Sequence, residues 1–139
     1  MTLLVYALAW LPMLGLAVLN GVIRETVYGP YLPELAAHQV SSLTAVLLFA
    51  GYALWLGRVR PLASGLQAVL AGAVWLGLTV AFEFFMVVVL QGRPLADALG
   101  DYDLASGRVW VLVLAVVAVL PWMTHRFGTG RRERPLMRP

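Results

Sequence analysis

Residues 66–90 read LQAVLAGAVWLGLTVAFEFFMVVVL and contain one ionisable side chain, that of Glu83. A helix needs about 20 predominantly apolar residues to cross the hydrocarbon core of a bilayer, so this run is long enough to span a membrane. The whole 139-residue chain is unusual, because 61% of its residues are hydrophobic and only 12% are charged. Soluble domains are about 45–50% apolar and about 25% charged, and a small domain cannot bury so much apolar surface. The composition therefore predicts an integral membrane protein.

Three further apolar runs complete the pattern: Leu3–Ile23, Leu43–Gly57 and Val109–Met123. The first is long enough to span a membrane. It is longer than the apolar part of a cleaved signal peptide and no basic segment precedes it, so we expect it to remain in the mature protein as a transmembrane helix. The other two have only 15 residues each and must recruit their neighbours. We therefore predict an all-α fold, a bundle of four transmembrane helices in residues 1–126.

The two short runs are predicted to gain residues at their N-terminal sides. Proline disrupts a helix interior, so Pro30 and Pro33 are expected to end the preceding segment. The second helix then begins near Ala37 or His38, and the fourth begins near Ser106.

The distribution of arginines predicts the orientation, because cytoplasmic loops carry an excess of basic residues. The side of both termini holds seven of them: Arg58, Arg60, Arg126, Arg131, Arg132, Arg134 and Arg138. The opposite side holds three arginines and five acids: Arg24, Arg93 and Arg108 with Glu25, Glu34, Asp97, Asp101 and Asp103. We expect both termini to be cytoplasmic, in the cytoplasmic (inner) membrane of a prokaryote.

Two segments outside the spans have a predicted structure of their own. Residues 127–139 are rich in glycine, arginine and proline, which predicts a disordered basic cytoplasmic tail. In the external loop of residues 91–107, Pro94 suits the first turn of a short helix with Leu95, Leu99 and Tyr102 along one face. We expect this helix to lie at the membrane interface.

Polar side chains gather at one level of the predicted bundle. The outward ends of the four helices carry all the strongly polar residues at membrane depth, and spacings of three or four residues place those of each helix on one face. If each helix turns its polar face toward the bundle axis, the four polar faces form one pocket that opens to the outer side of the membrane. Its predicted lining residues are Asn20, Arg24, Glu25, His38, Ser41, Ser42, Thr79, Glu83 and Arg108.

Glu83 is the most informative of these residues, because an ionisable group at mid-membrane costs about 2.5–3.5 kcal/mol and normally finds a partner. Arg24 is the expected partner, with Asn20 or His38 as the next choice. Two interpretations follow: an intramembrane charge pair that holds the helices in register, or a site for a ligand, an ion or a proton.

Several classes of chemistry are excluded or disfavoured. The chain has no cysteine, so thiolate chemistry and Cys-ligated metals are excluded, and it has no nucleotide-binding glycine motif. His38 and His125 fall at opposite ends of the bundle, which disfavours a bis-histidine haem. We expect no cofactor and no metal. The residues that would form a metal site are His38, Asp101 and Asp103.

Small residues at four-residue spacing on the third helix predict close helix packing, either within the chain or between copies. They are Ala68 and Gly72, then Ala73, Gly77 and Ala81.

Three functions are compatible with these features. The first is binding or transport of a small ion, a polar solute or a lipid head group, which in so small a bundle requires an oligomer. The second is a non-catalytic accessory or scaffold subunit of a larger membrane complex, with the polar cluster as a structural lock. The third is an enzyme acting on lipids of the outer leaflet. Expected partners are membrane lipids and either further copies of the chain or another membrane subunit, and no nucleic acid.

Overall fold

The computed structural model describes residues 1–100, 103, 105, 107 and 109–132, with backbone alone at residues 98 and 129–132. This part of the chain is all-helical and contains no strand. Four helical segments are long and apolar enough to cross a membrane, so the prediction of an all-α chain with four such helices is confirmed. The α-helices are α1 Thr2–Ile23, α2 Glu34–Val59, α3 Gly65–Phe84, α4 Leu95–Gly100 and α5 Trp110–Arg132.

Two predicted helix starts are wrong, for reasons of local backbone chemistry. Helix α2 begins at Glu34, before Ala37, because Pro33 is its N-cap and the Pro33 carbonyl accepts a hydrogen bond of 2.9 Å from the Ala37 N–H. Helix α5 begins at Trp110 and not near Ser106, which lies outside the described residues. Gly107 has a φ of 84°, a left-handed conformation that a helix cannot include.

Helix α5 also ends later than predicted. It continues through Arg132, past the boundary predicted at residue 126. No proline stands between Pro121 and Pro135 to end it, and glycine alone weakens a helix without breaking it. Residues 133–139, the remainder of the predicted tail, lie outside the described residues.

Helices α1 and α3 both finish in a π-helical turn. After Ile23 the chain forms the π-helical turn Arg24–Tyr28 and then a short 3₁₀ turn, Gly29–Tyr31. After Phe84 it forms the π-helical turn Phe85–Leu90. Such turns are rare and are frequent at functional sites, so their presence at the ends of two helices draws attention to that region.

The four long helices form a ring in which α1 contacts α2 and α3, and α5 contacts the same two. At one end, the Tyr6 hydroxyl donates to the Arg60 carbonyl over 2.9 Å. At the other end, the Asn20 side chain meets Ser41 of α2, and Gln39 donates to the Gly107 carbonyl over 3.3 Å. We call these the Arg60 end and the Arg24 end.

The bundle core is aromatic and hydrogen-bonded to the backbone of α1. The Trp75 indole N–H donates to the Tyr6 carbonyl over 2.7 Å, and the Tyr52 hydroxyl donates to the Ala9 carbonyl over 2.7 Å. Pro12 has no N–H, so the helix supplies no donor to the Leu8 carbonyl four residues before it. Tyr52 donates to the neighbouring Ala9 carbonyl and so ties α2 to α1 at this level.

The small residues of α3 serve mainly to bring α3 close to α5. Ala68, Ala71 and Gly72 are buried, and a methyl group added to Gly72 would collide with the Ala118 carbonyl oxygen of α5. An added methyl group at Gly77 would meet open space. The first of the two predicted rows therefore packs inside the chain, at the α3–α5 contact.

Candidate functional site

Two adjoining cavities lie at the Arg24 end of the bundle. The polar cavity has a volume of about 750 Å³ and the apolar cavity a volume of about 470 Å³. Four residues line both of them and so mark their junction: Arg24, Ser41, Glu83 and Trp110. The π-helical turn Arg24–Tyr28 contributes to the walls of both cavities through its first residue.

The structure brings eight of the nine predicted site residues to these walls. The polar cavity is lined by Arg24, His38, Ser41, Ser42 and Glu83. The apolar cavity adds Asn20, Glu25 and Thr79. The ninth, Arg108, lies outside the described residues. Their role in binding stays a prediction, but their convergence at one level of the bundle is a feature of the fold.

Arg24 has partners other than the expected one. Its guanidinium forms an ion pair of 2.8 Å with Glu25 and not with Glu83, although Glu25 is 68% exposed. The guanidinium also lies 3.3 Å from Nδ1 of His38. Arginine only donates hydrogen bonds, so this Nδ1 accepts, and the His38 proton resides on Nε2 in the neutral ring. The interpretation of the cluster as an Arg24–Glu83 pair is therefore not supported.

Asn20 joins α1 to α2 beside the apolar cavity. Its side chain is buried, and its amide nitrogen donates to both the carbonyl and the hydroxyl oxygen of Ser41, each over 2.9 Å. In a membrane such bonds hold helices together, because the alternative is an unsatisfied polar group in hydrocarbon. Asn20 therefore connects α1 to α2 independently of any ligand in the cavity.

Thr79 is likewise engaged within the bundle. Its hydroxyl accepts from the Trp10 indole N–H over 3.0 Å and donates to the Trp75 carbonyl over 2.8 Å. The Trp10 ring meets Phe82 edge to face, with ring centroids 6.1 Å apart. These contacts hold Trp10 in place as part of the wall of the apolar cavity.

The apolar cavity was not predicted from the sequence. Apart from its polar residues, it is lined by side chains of the kinds that also face lipid, among them Trp10, Met13, Phe49 and Phe82. Trp110 lines both cavities and, like Tyr28, carries a buried polar group without a partner among the described residues. Its indole Nε1 is buried and has no hydrogen-bond partner within the described part of the chain. A buried donor without an acceptor is costly unless a bound molecule satisfies it.

The predicted metal alternative finds no support in the described residues. Asp103 and His38 both line the polar cavity, but Asp101 lies outside the described residues. Within residues 1–100, 103, 105, 107 and 109–132, no three His, Asp or Glu side chains lie close enough to hold a metal ion.

No protein-family model, curated protein or solved structure matches this chain. Functional assignment therefore depends on the chemistry of the two cavities. Together they offer an apolar compartment, a polar compartment, and charged and hydrogen-bonding groups where the two meet. Such a site suits a molecule that is itself divided into an apolar and a polar part.

Proposed function

We propose that the protein binds an amphiphilic lipid or solute at the Arg24 end of its bundle. The apolar part of the ligand occupies the apolar cavity and its polar group occupies the polar cavity. The observation that carries this proposal is that the two cavities share Arg24, Ser41, Glu83 and Trp110 as common walls. Neither an inorganic ion nor a fully polar solute would make use of the apolar compartment.

The junction offers two hydrogen-bond donors for the polar group. One is the Arg24 guanidinium, whose fork of N–H groups suits carboxylates and phosphates. The other is the buried Trp110 indole N–H, for which the described residues supply no acceptor. A ligand acceptor group at the junction would satisfy both.

The excess of arginine at the Arg60 end supports a placement in which both termini are cytoplasmic and the Arg24 end faces outward. In this orientation the ligand enters from the outer leaflet of the cytoplasmic membrane. We further propose that α4, which carries Leu95 and Leu99 exposed on its surface, rests at the membrane interface beside the polar cavity.

Binding is favoured over translocation by the packing of the core. A third cavity of about 530 Å³ lies at the Arg60 end, lined by Tyr6, Arg58 and His125 among others. Between it and the apolar cavity lies the fully buried Trp75, whose ring meets Tyr6 at a centroid distance of 5.9 Å. A ligand that crossed the bundle would have to displace this packed aromatic pair.

The experiment compares ligand retention by two variants in native mass spectrometry from mild detergent. Ala17 lines the apolar cavity, and Ala17→Phe fills part of it. Ala81→Phe adds the same side chain at an exposed position on α3. We expect the wild type and Ala81→Phe to retain lipid. Ala17→Phe should retain less than half as much lipid as the wild type. Equal retention by both variants would refute the proposal. The same spectra count subunits and so test the predicted homo-oligomer.

A further inference from the structure

The third cavity lies at the Arg60 end, at the opposite end of the bundle from the proposed ligand site. It has a volume of about 530 Å³, and its walls come from the ends of α2 and α5, from the loop between α2 and α3, and from Tyr6 of α1. We call it the Arg60-end cavity. Its described lining residues include Arg58 and His125, whose side chains can carry positive charge, and they include no carboxylate.

Hydrogen bonds hold the walls of the Arg60-end cavity in place. The Tyr6 hydroxyl donates to the Arg60 carbonyl over 2.9 Å, and Nδ1 of His125 lies 3.1 Å from the Leu62 carbonyl oxygen. A carbonyl only accepts hydrogen bonds, so this Nδ1 is the donor. The loop between α2 and α3 is therefore tied to α1 and to α5, on the two sides of Pro61. A site whose walls are already ordered loses little entropy when a ligand binds.

Arg58 supplies the donors that a ligand in this cavity can use. The hydroxyl groups of Tyr6 and Thr124 also line the cavity, but they donate to the carbonyls of Arg60 and Pro121. Arg58 is exposed and forms no ion pair with another described residue. Its guanidinium carries five N–H donors in a planar fork that matches the oxygens of a phosphate or a carboxylate.

The sequence around this end adds further positive charge. The loop of residues 58–64 and residues 126–139 contain seven arginines and one acidic residue, Glu133. Glu133 lies outside the described residues, and a single carboxylate can offset only one of the seven charges. A cleft surrounded by charges of one sign raises the local concentration of ligands of the opposite sign. The field at the Arg60-end cavity therefore favours an anionic ligand.

Leu54 and Phe127 give the Arg60-end cavity an apolar flank. Both line it, and their side chains are 41% and 67% exposed. In the proposed membrane placement, exposed apolar side chains such as these meet the acyl chains of lipids. Basic pockets between transmembrane helices on the cytoplasmic side bind the head groups of anionic lipids. The cavity combines the two features that such a lipid requires, a cationic group and an apolar surface beside it.

We infer that the Arg60-end cavity is a phosphate site, separate from the site of the proposed function, in which Arg58 holds the phosphate. The phosphate can belong to an anionic phospholipid of the adjoining leaflet or to a soluble phosphate compound. The apolar flank of Leu54 and Phe127 favours the lipid, whose chains would lie along these two side chains while the phosphate meets Arg58.

The test is a competition between an anionic and a zwitterionic phospholipid for the detergent-solubilised full chain. Equimolar dioleoyl phosphatidylglycerol and dioleoyl phosphatidylcholine are added, and native mass spectrometry measures how much of each is bound. We expect the anionic lipid to bind about fivefold more tightly, the effect of one arginine next to an anionic lipid.

A salt wash separates this site from the Arg24 end. Binding is measured again after a wash in about 1 M sodium chloride, which shortens the Debye length to about 3 Å. The wash should abolish the preference for the anionic lipid, because the contact with Arg58 is electrostatic and exposed. A lipid held by its chain in the apolar cavity should remain. Lipid that survives the wash therefore reports on the Arg24 end, where Ala17→Phe is compared with the wild type.

Two neighbouring arginines distinguish a site in the cavity from a general attraction to the basic end. Arg58→Gln should lower the affinity for phosphatidylglycerol about fivefold and remove the preference over phosphatidylcholine. Arg60→Gln removes the same charge two residues away, but Arg60 does not line the cavity, and the variant keeps the carbonyl to which Tyr6 donates. It should change the affinity by less than about twofold. Equal losses in both variants would overturn the assignment to the cavity.

Glycerophosphoglycerol, the anionic head group without chains, distinguishes the two sources of phosphate. At the same concentration as the lipid it should displace none of it. If it displaces the lipid from the wild type but not from Arg58→Gln, the lipid source is wrong and the phosphate site stands.

The remaining outcomes separate this inference from the proposed function. If phosphatidylcholine binds the wild type as tightly as phosphatidylglycerol before the wash, the phosphate site is overturned, and no variant is needed to show it. The proposed function is unaffected by that result, because lipid retained after the wash still supports it. If the wash removes all lipid while the preference before it is about fivefold, the phosphate site stands and the proposed function fails.

Discussion

Substitution of Gly72 by alanine should destabilise the bundle, although alanine is the better helix former. A methyl group at this position would overlap the carbonyl oxygen of Ala118 and approach its carbonyl carbon. Both obstacles are backbone atoms and cannot rotate away, so α3 and α5 must separate in a core that includes the fully buried Trp75 and Val117. Overpacking costs about 1–3 kcal/mol, and a backbone obstacle favours the upper part of this range. The helix propensity of alanine returns about 1 kcal/mol. We expect a net loss of about 2 kcal/mol.

Gly77 provides a matched control on the same helix. A methyl group there meets nothing within 4 Å, so Gly77→Ala should leave the stability unchanged or raise it by up to about 1 kcal/mol. The assay is equilibrium unfolding in mixed micelles with increasing mole fractions of dodecyl sulfate, followed by circular dichroism. The two variants should differ by about 2–3 kcal/mol in free energy of unfolding. A difference below about 0.5 kcal/mol would show that α3 and α5 are not in close contact at Gly72.

Two hydrogen bonds across the bundle allow further tests in the same unfolding assay. Asn20→Ala removes both bonds to Ser41 and should cost about 1–2 kcal/mol, given about 0.6 kcal/mol for an average interhelical bond in a membrane and a maximum of about 1.7. An unchanged free energy of unfolding would contradict the contact between α1 and α2 at this level. Tyr52→Phe removes only the hydroxyl that donates to the Ala9 carbonyl, and should cost about 0.6–1.7 kcal/mol. A stabilised Tyr52→Phe would contradict a stabilising bond between α2 and α1 at Ala9.

Hydropathy was sufficient to predict the four spans, because crossing a membrane imposes one length and one composition on a helix. It was not sufficient for the helix ends. Pro33 was predicted to end one segment, yet it also caps the next, so α2 gains a turn that includes Glu34. The start of α5 depends on the positive φ of Gly107, and the sequence alone does not reveal which glycine adopts it.

The convergence of the polar residues followed from the order of the spans and the spacing along each helix. The partner of Arg24 could not be predicted in this way. Helical spacing favours pairs three or four residues apart, whereas the ion pair of Arg24 is with the adjacent Glu25. The apolar cavity was also beyond sequence reasoning. Its walls include Phe49 and Phe82, and in a membrane protein an aromatic residue that lines a cavity has the same hydropathy as one that faces lipid.

The π-helical turns at Arg24–Tyr28 and Phe85–Leu90 have a consequence for how this site can change during evolution. A π-helical turn closes its hydrogen bonds over one more residue than an α-helical turn. Deleting a single residue from Arg24–Tyr28 would therefore restore the α-helical register and reshape the cavity wall at that turn, while the segments on either side kept nearly the same faces toward the bundle. Insertions and deletions of one residue at these two places thus offer a route by which related chains would alter the mouth of the site and preserve the bundle.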